Sequence, residues 1–229
     1  CLLPALALAE GAADVAIDPT NFPDAAFRAY VASFDTDNDD RLSPAELAAV
    51  KSMRLIGKSI GDLTGIEHFT ALTKLDCRGN QLTSLDLSAN PKLSFSHCST
   101  NNNTYRLTLD ASRTLDLTTL PGRFDVTKAS DWSGGTVVGT VLTVDGGAEQ
   151  VTYSYDCGNG ITAYFTLMCG KARYTVTFGN DRAPAQTVTH GEKAVEPPKP
   201  TSPGHIFKAW YAGNEPYDFD TPVTQDLHL

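Results

Sequence analysis

The chain has 229 residues, of which 41% are hydrophobic and 20% are charged. This is enough apolar side chain to form a core, and it argues against wholesale disorder. Lys and Arg number 18 against 27 Asp and Glu, and the net charge of −9 argues against general binding to nucleic acid backbones. No stretch approaches the roughly 18 apolar residues that a membrane-spanning helix requires.

The N-terminus carries a short apolar run over residues 2–9, which ends in Ala-Leu-Ala just before Glu10. This pattern is typical of the end of a secretory signal peptide, and Glu10 is the expected first residue of the mature protein. A lipoprotein that begins at Cys1 is the alternative. Either interpretation places the protein outside the cell, secreted or on the cell surface.

Two short helices are predicted in the next segment. Phe27, Tyr30 or Val31, and Phe34 recur at helical spacing and predict an amphipathic helix over about 24–34. A second helix is expected to begin at Ser43-Pro44-Ala45-Glu46, where Ser43 and Glu46 form a capping box.

The acidic loop between these helices, residues 35–46, has the residue pattern of an EF-hand calcium loop. The expected ligands are oxygens at loop positions 1, 3, 5, 7, 9 and 12: the side chains of Asp35, Asp37, Asp39, Ser43 and Glu46, and the backbone carbonyl of Arg41. The sequence therefore predicts a calcium ion, in a structural role beside the repeats that follow.

Position 6 of this loop departs from the EF-hand pattern, because Asp40 stands where a glycine is expected. Asp adopts a positive φ at some cost, so we expect weakened rather than abolished calcium binding. The alternative is a solvated acidic turn in which Ser43 and Glu46 only cap the helix.

A repeat follows over residues 50–101. Two copies align at a period of 21, and a third fits 22 residues earlier; the matched pairs of the first two copies are Leu72 with Leu93, Leu75 with Ser96, Cys77 with Cys98, and Asn80 with Asn101. This is the pattern of a leucine-rich repeat, a short strand followed by an asparagine at the turn. About two and a half coils are too few to stand alone, so both ends are expected to be capped.

The rear cap is predicted from alternating apolar residues over 151–157 and 161–167, a hairpin around the Gly158-Asn159-Gly160 turn. Residues 137–144 are expected to add a third strand, and Trp132 to plug the end of the repeat core. Cys157 and Cys169 do not lie opposite each other in this hairpin, so a disulfide between them is not expected.

The last segment contains strand-like stretches at 174–178, 186–188 and 206–211 and a terminal strand, interrupted by a proline-rich stretch over 196–203. Trp210 and Tyr211 could stack on a glycan or contact a protein. The alternation in this stretch favours one ring in the core and the other at its rim.

Catalysis is not expected from this chain. The adjacent His97 and Cys98 are the only Cys/His pair in the sequence, and no third orienting group accompanies them. Cys98 is instead interpreted as a small core residue of the repeat. No glycine-rich phosphate loop is present.

Two resemblances to known families follow from these motifs. Residues 21–128, with Leu-Thr-Lys-Leu-Asp-Cys-Arg-Gly-Asn at 72–80, resemble secreted leucine-rich repeat proteins of gut-type bacteria. Residues 174–229, with Gly-His-Ile-Phe-Lys-Ala-Trp-Tyr at 204–211 and Tyr-Asp-Phe-Asp-Thr-Pro-Val-Thr at 217–224, resemble the Listeria/Bacteroides repeat, also called the internalin B-repeat. Both resemblances imply an extracellular surface protein, and the second implies a β-grasp-like fold.

The expected fold class is α+β, mostly β. We expect a signal peptide remnant at 1–9, a helical cap with the calcium loop at 10–49, leucine-rich repeats at 50–125, a β cap at 126–170 and the repeat domain at 171–229. The expected function is non-catalytic protein interaction or adhesion, with an unknown protein or glycan on a host or bacterial surface as partner. The alternatives are an accessory region of a larger secreted enzyme and a calcium-responsive binding module.

Overall fold

The computed structural model describes residues 13–109, 112–179 and 182–229; the expected signal peptide remnant lies outside these ranges. The described chain is mostly β with a few short helices, which confirms the predicted mostly-β class. In these ranges no helix has the length and apolar character needed to cross a membrane.

The N-terminal cap is built around two short helices. Its elements are β1 (Val15–Ala16), α1 (Ala25–Val31), a 3-10 turn (Ala32–Phe34), β2 (Arg41–Leu42) and α2 (Pro44–Ala49). Asp24 caps α1, since its Oδ1 accepts hydrogen bonds of 2.9 Å from the N–H groups of Ala26 and Phe27. Both predicted helices are therefore present, the first ending as a 3-10 turn. Apolar side chains from the cap join the main core: Phe22, Phe27, Val31 and Leu42.

Three parallel strands form the next sheet, with the order β3 (Ser52–Arg54), β4 (Lys74–Asp76) and β5 (Cys98–Ser99). Met53 pairs with Leu75, and Leu75 pairs with Cys98, so the spacing is 22 residues and then 23. The predicted alignment of Cys77 with Cys98 is therefore wrong by two residues. Cys98 takes the place of Leu75 in its strand.

The two extra residues lie between Leu93 and Cys98. Leu93 still corresponds to Leu72 at a period of 21, because each donates its N–H to the carbonyl three residues earlier at 3.0 Å. The insertion is absorbed by a 3-10 turn over Phe95–His97 that directly precedes β5.

Asn80 joins the first two coils from inside. Its Nδ2 donates to the carbonyls of Leu55 at 2.7 Å and Cys77 at 3.0 Å, while its Oδ1 accepts from the N–H groups of Lys58 and Ile60 at 2.9 and 3.1 Å. The side chain is buried and satisfies four backbone groups of two coils.

Asn103, rather than the predicted Asn101, repeats this role in the next coil. Its Nδ2 donates to the carbonyls of Cys77 at 3.2 Å and Thr100 at 2.6 Å, and its Oδ1 accepts from the N–H of Leu82 at 3.4 Å. Asn103 is buried whereas Asn101 is exposed in the preceding turn. The shift of two residues seen in the strands thus extends to the asparagines.

Two sheets follow the repeats. Their strands are β6 (Asn103–Arg106), β7 (Thr114–Asp116), β8 (Ala129–Ser133), β9 (Gly135–Val138), β10 (Val141–Val144), β11 (Gln150–Asp156) and β12 (Thr162–Met168). The predicted hairpin is β11–β12, and it lies in the sheet β6-β12-β11-β8. The prediction that residues 137–144 add a strand to this hairpin is wrong: Gly139, with φ of 60°, reverses the chain there, and β9 and β10 belong to the sheet β7-β10-β9.

Tyr153, rather than the predicted Trp132, is the ring that enters the repeat core. Tyr153 is 1% exposed, and its hydroxyl donates to the carbonyl of Thr83 at 2.6 Å. Trp132 is half-buried and stacks on Tyr153 with ring centroids 4.4 Å apart. Trp132 thus covers Tyr153, and it is Tyr153 that fills the end of the repeat core.

Asn159 in the hairpin turn docks the cap on the last coil. Asn90 donates from Nδ2 to the carbonyls of Ile66 and Phe69 at 2.9 and 3.0 Å. Asn159, with φ of 53°, donates from Nδ2 to the carbonyls of Leu87 and Asn90 in the same way. The cap therefore supplies the hydrogen bonds that a further coil would supply.

The C-terminal segment has its own apolar core, which includes Val176, Phe178, Val188, Trp210 and Val223. Its strands are β13 (Arg173–Phe178), β14 (Ala183–Thr189), β15 (Tyr211–Ala212), β16 (Glu215–Pro216) and β17 (Leu227–His228). β13 lies between antiparallel β14 and parallel β17. The described residues of this segment contain no α-helix.

The strand predicted over 206–211 is wrong for most of its length. Only Tyr211 belongs to a strand, where it pairs with Pro216 across a tight turn. Ile206 is 92% exposed, while Trp210 is buried and Tyr211 lies at the surface. One ring in the core and one at the rim is the arrangement that the sequence favoured.

Candidate metal centre

The acidic loop brings three of the predicted ligands together. Carboxylate oxygens of Asp35, Asp37 and Asp39 all lie within 4.8 Å of one another. Asp35 is half-buried and the other two are exposed. The 3-10 turn that ends at Phe34 and the first turn of α2 fix the two ends of this loop.

Asp35 shapes the loop by accepting backbone hydrogen bonds. Its Oδ1 accepts from the N–H of Asn38 at 2.8 Å, and its Oδ2 accepts from the N–H of Asp40 at 3.0 Å. Asn38 and Asp40 are left-handed, with φ of 61° and 60°. Asp40 thus adopts the conformation that glycine usually supplies at loop position 6.

Ser43 and Glu46 form the predicted capping box. Oε2 of Glu46 accepts from the N–H and hydroxyl of Ser43 at 2.9 Å, and Oγ of Ser43 accepts from the N–H of Glu46 at 3.3 Å. Oε1 of Glu46 accepts from the hydroxyl and the N–H of Thr36, both at 2.6 Å. The hydrogen bonds from Thr36 and then from Ser43 lower the pKa of Glu46 to about 2.

Thr36 was not among the site residues predicted from the sequence. It ties the start of the loop to Glu46 at the loop's end. A hydroxyl one residue after the first aspartate is the only sequence signal that could have indicated it.

Arg41 lies in β2, and its side chain points to Asp14. Its Nη2 donates to the carbonyl of Asp14 at 3.0 Å, and its Nε lies 3.8 Å from the Asp14 carboxylate. β2 pairs with β1, with Ala16 opposite Arg41. The sequence did not predict this pairing, which anchors the middle of the acidic loop to the N-terminal strand.

The charges of the loop favour a bound cation. The negative charge of Asp39 is the main reason that the pKa of Asp37 is raised. Desolvation, the charge of Glu46 and then Asp35 raise it further. This mutual repulsion is relieved when a cation neutralises the group. All six predicted ligands offer oxygen, the donor that calcium prefers. Among the described residues, only the three aspartates converge, whereas both carboxylate oxygens of Glu46 accept hydrogen bonds from Thr36 and Ser43. The donor chemistry of the three aspartates fits a calcium ion.

The His97–Cys98 pair does not have the geometry of a nucleophile and its base. Burial, and then the charge of Asp76, raises the pKa of Cys98 to about 11. The Nδ1 of His97 lies 3.0 Å from the hydroxyls of Ser94 and Ser96. A thiolate is therefore disfavoured at neutral pH.

Comparison with known proteins identifies the C-terminal segment. Residues 174–229 match the family model of the Listeria-Bacteroides repeat domain. This match confirms the resemblance predicted for the same residues, so the segment is called the repeat domain below.

A relative also supports the internalin resemblance. The chain is 46% identical over 70 residues to internalin J of Listeria monocytogenes serotype 4b (strain F2365). The aligned segment is 30% of this chain but spans only 8% of internalin J.

Two solved structures show partial similarity. One is the functional domain of InlJ from Listeria monocytogenes, described as including a cysteine ladder: it is 35% identical, and the match covers 45% of this chain and 22% of that one with a TM-score of 0.36. The other contains the CBM51-2 and INT domains of Clostridium perfringens ZmpB, 13% identical over 66% of this chain and 36% of that one, with a TM-score of 0.39.

Proposed function

We propose that the chain is a non-catalytic, extracellular interaction or adhesion module. In this proposal a short leucine-rich repeat solenoid over 50–125 carries a helical cap in front and a β cap over 126–170 behind. The repeat domain over 171–229, with a β-grasp-like fold, serves as a spacer or adhesion unit. The match of residues 174–229 to the Listeria-Bacteroides repeat domain is the observation that carries the proposal.

The solenoid part is supported by the stacking of β3, β4 and β5 and by their buried asparagines. Each of these strands runs parallel to the next, and Asn80 and Asn103 each bond backbone groups of two coils. Short parallel strands joined by asparagine-lined turns are what leucine-rich repeats require.

The cysteines of this chain do not occupy equivalent places in successive coils. Cys77 is buried in the coil of β4, but Thr100 rather than Cys98 occupies the corresponding place in the next coil, because the register is shifted by two residues. Cys98 instead occupies the place of Leu75, two residues before the position that matches Cys77. The thiols of Cys77, Cys98 and Cys157 are free.

Calcium at the acidic loop is the second part of the proposal. Asp35, Asp37, Asp39, Ser43 and Glu46 and the carbonyl of Arg41 would hold the ion, which would neutralise the clustered carboxylates and fix the loop between α1 and α2. The helices are 7 and 6 residues long and pack on the repeat core, so the ion acts as a structural link in the front cap.

Thermal unfolding with calcium and then with excess chelator tests this site. Calcium at about 100 times its Kd stabilises by about 2.7 kcal/mol. For a chain of this size, this stabilisation should raise Tm by about 5–10 °C. The variant Asp37→Asn should lose most of the shift. Asp40→Asn is the matched control, because it removes the same charge from the loop without removing a predicted ligand.

Two results would contradict the calcium proposal. One is an unchanged Tm in calcium at concentrations of about 10 mM, above the range of weak extracellular sites. The other is an equal loss of the shift in Asp40→Asn and Asp37→Asn, which would indicate nonspecific screening of the acidic loop.

A further inference from the structure

A cleft of about 290 Å³ lies between the repeats and the segment that leads into the rear cap. The stretches that follow β3 and β4 form one wall, and the segment 122–128 forms the other. Part of the lining is apolar, because Leu63, Ile66 and Leu85 border the cleft from the repeat core. The volume is near the lower limit of small-ligand sites, so it suits a single side chain or a small group.

Hydrogen bonds hold the second wall against the coils. The hydroxyl of Thr83 donates to the carbonyl of Pro121 at 2.8 Å, and the hydroxyl of Ser84 donates to the carbonyl of Gly122 at 2.6 Å. Gly122, with φ of 79°, approaches so closely that a Cβ there would lie 2.7 Å from Oγ of Ser84. These contacts preform the cleft before any ligand binds.

Two carboxylates of the lining, Asp62 and Glu67, keep one oxygen free. Oδ1 of Asp62 accepts from the N–H of Thr64, and Oε2 of Glu67 accepts from the N–H of Gly65, both at 2.7 Å. Because the two N–H groups belong to consecutive residues, the two carboxylates lie near each other. Their other oxygens, Oδ2 and Oε1, accept nothing from the described residues and are accessible to solvent.

This pair of carboxylates has no counterion. In the described part of the chain, neither Asp62 nor Glu67 pairs with a basic side chain. Of the basic residues that border the cleft, Lys128 is paired with Asp86 at 2.9 Å, and Arg123 is exposed. A cation bound between the two carboxylates would relieve their repulsion.

The arrangement of these oxygens favours an ammonium group over other cations. Within the described ranges, only the acidic loop brings ligand atoms of three acidic residues within 4.8 Å of one another, so this cleft lacks the oxygen cage of a metal site. A guanidinium binds best to both oxygens of one carboxylate, and here the backbone already occupies one oxygen of each. An ammonium is a compact charge with three donors, and it needs only one oxygen from each carboxylate.

Tyr155 adds a hydroxyl to the same cleft. The residue is 2% exposed, and its hydroxyl accepts from the N–H of Asp125 at 3.1 Å; both residues border the cleft. The hydroxyl proton has no acceptor among the residues that the structure describes. A peptide carbonyl can accept this proton, whereas a simple alkylammonium ion has no acceptor to offer. The lining thus favours an ammonium group that is carried by a peptide.

We propose that this cleft receives a lysine side chain of a protein partner. The ammonium would bond the free oxygens of Asp62 and Glu67, and the methylene groups would lie on the apolar lining. A peptide carbonyl beside the lysine would accept from Tyr155. This inference rests on the proposed interaction function and gives it one contact of defined chemistry. It places that contact on the stretches that follow the strands, not on the strands themselves.

An NMR titration of the full chain with Nα-acetyl-lysine methylamide tests the proposal. The readout is the N–H resonances of Thr64 and Gly65, which are hydrogen-bonded to the two carboxylates. Both should shift saturably, with a Kd in the millimolar range. The norleucine analogue has a similar apolar side chain without the ammonium, and it should bind at least about tenfold more weakly.

Variants separate binding at this cleft from general attraction to an acidic protein. Asp62→Asn and Glu67→Gln each remove a charge but keep an acceptor for the backbone N–H, so the local fold is retained. Each should weaken binding about tenfold, equivalent to the loss of one good polar contact. Glu215→Gln is the matched control, because it removes the same charge from an exposed residue that does not border the cleft. Its Kd should equal that of the parent.

Three outcomes would overturn the proposal. The first is no saturable shift at about a hundred times a millimolar Kd. The second is an equal weakening in Glu215→Gln and Glu67→Gln, which would indicate attraction by net charge alone. The third is tighter binding of cadaverine than of the lysine probe, which would assign the cleft to a free amine. None of these results contradicts the interaction function, because other surfaces of the chain can carry it.

Discussion

The shifted register of the third coil makes a sharp prediction about two neighbouring asparagines. Asn103→Ala removes two hydrogen bonds to the carbonyls of Cys77 and Thr100, at 3.2 and 2.6 Å, and a longer one of 3.4 Å from the N–H of Leu82. Because Asn103 is 1% exposed, the Thr100 carbonyl that loses this donor stays buried, whereas the Cys77 carbonyl keeps its bond from Asn80.

The magnitude follows from these three bonds. A neutral hydrogen bond contributes about 1 kcal/mol net, and a buried group left unsatisfied costs about 1–3 kcal/mol. We therefore expect Asn103→Ala to lower the free energy of unfolding by about 2–4 kcal/mol. Asn101→Ala is the matched control, and as an exposed surface change it should stay within about 0.5 kcal/mol of the parent.

Urea unfolding followed by tryptophan fluorescence measures both variants, with calcium held constant. The m value should stay the same in both, so that the midpoints compare directly. A loss in Asn101→Ala as large as that in Asn103→Ala would refute the 23-residue spacing and restore the period of 21.

Three more predictions concern the caps. Asn159→Gly keeps the left-handed turn but loses the side-chain hydrogen bonds to the carbonyls of Leu87 and Asn90. Urea unfolding should show that the free energy of unfolding falls by about 2 kcal/mol. A fall below about 0.5 kcal/mol would mean that the turn does not dock on the coil. Tyr153→Phe leaves the carbonyl of Thr83 without its donor and should cost about 1–2 kcal/mol in the same assay, with little cost if water enters. The pKa of Glu46 is lowered from 4.5 to about 2, so its ionised form stabilises the fold above pH 4.5, and this stability is lost as the pH falls towards 2. Glu46→Gln should therefore flatten the pH dependence of Tm in that window. An unchanged curve would contradict the hydrogen bonds assigned to Glu46.

The front cap could be predicted from sequence because its geometry is set by near neighbours. Ser43 and Glu46 lie three residues apart, and their hydrogen bonds follow from that spacing once Pro44 starts the helix. The clustering of Asp35 with its neighbours follows from a loop of fixed length. The pairing of β1 with β2 joins distant parts of the chain, and no local pattern indicated it.

The register of the third coil was not predicted, because Ser96 in the place of Leu75 was the only departure from the apolar pattern at a period of 21. Leu93 and Cys98 both look like ladder positions at a period of 21, yet the 3-10 turn over Phe95–His97 takes up two residues between them. Only the hydrogen bonds of Asn103 distinguish it from Asn101.

Alternation misled the prediction over 206–211 for a different reason. An alternating pattern defines a strand only where another strand is available to pair with it. In the repeat domain the tight turn at Gly213 lets Tyr211 pair with Pro216, but the residues before it meet no partner strand. Trp210 is then buried by the aromatic rings of its own domain, whereas Ile206 remains at the surface.

The rear cap explains how so few coils can be stable. An open solenoid end leaves backbone carbonyls and apolar side chains in water, and both must be covered. In this chain the side-chain amide of Asn159, in the hairpin turn, bonds the carbonyls. The ring of Tyr153 covers the apolar end. Because Asn159 bonds Leu87 and Asn90 as Asn90 bonds the coil before it, the cap occupies the position of the next coil. In the proposed solenoid the cap thus replaces the next coil, and a longer array would require removal of the β11–β12 turn.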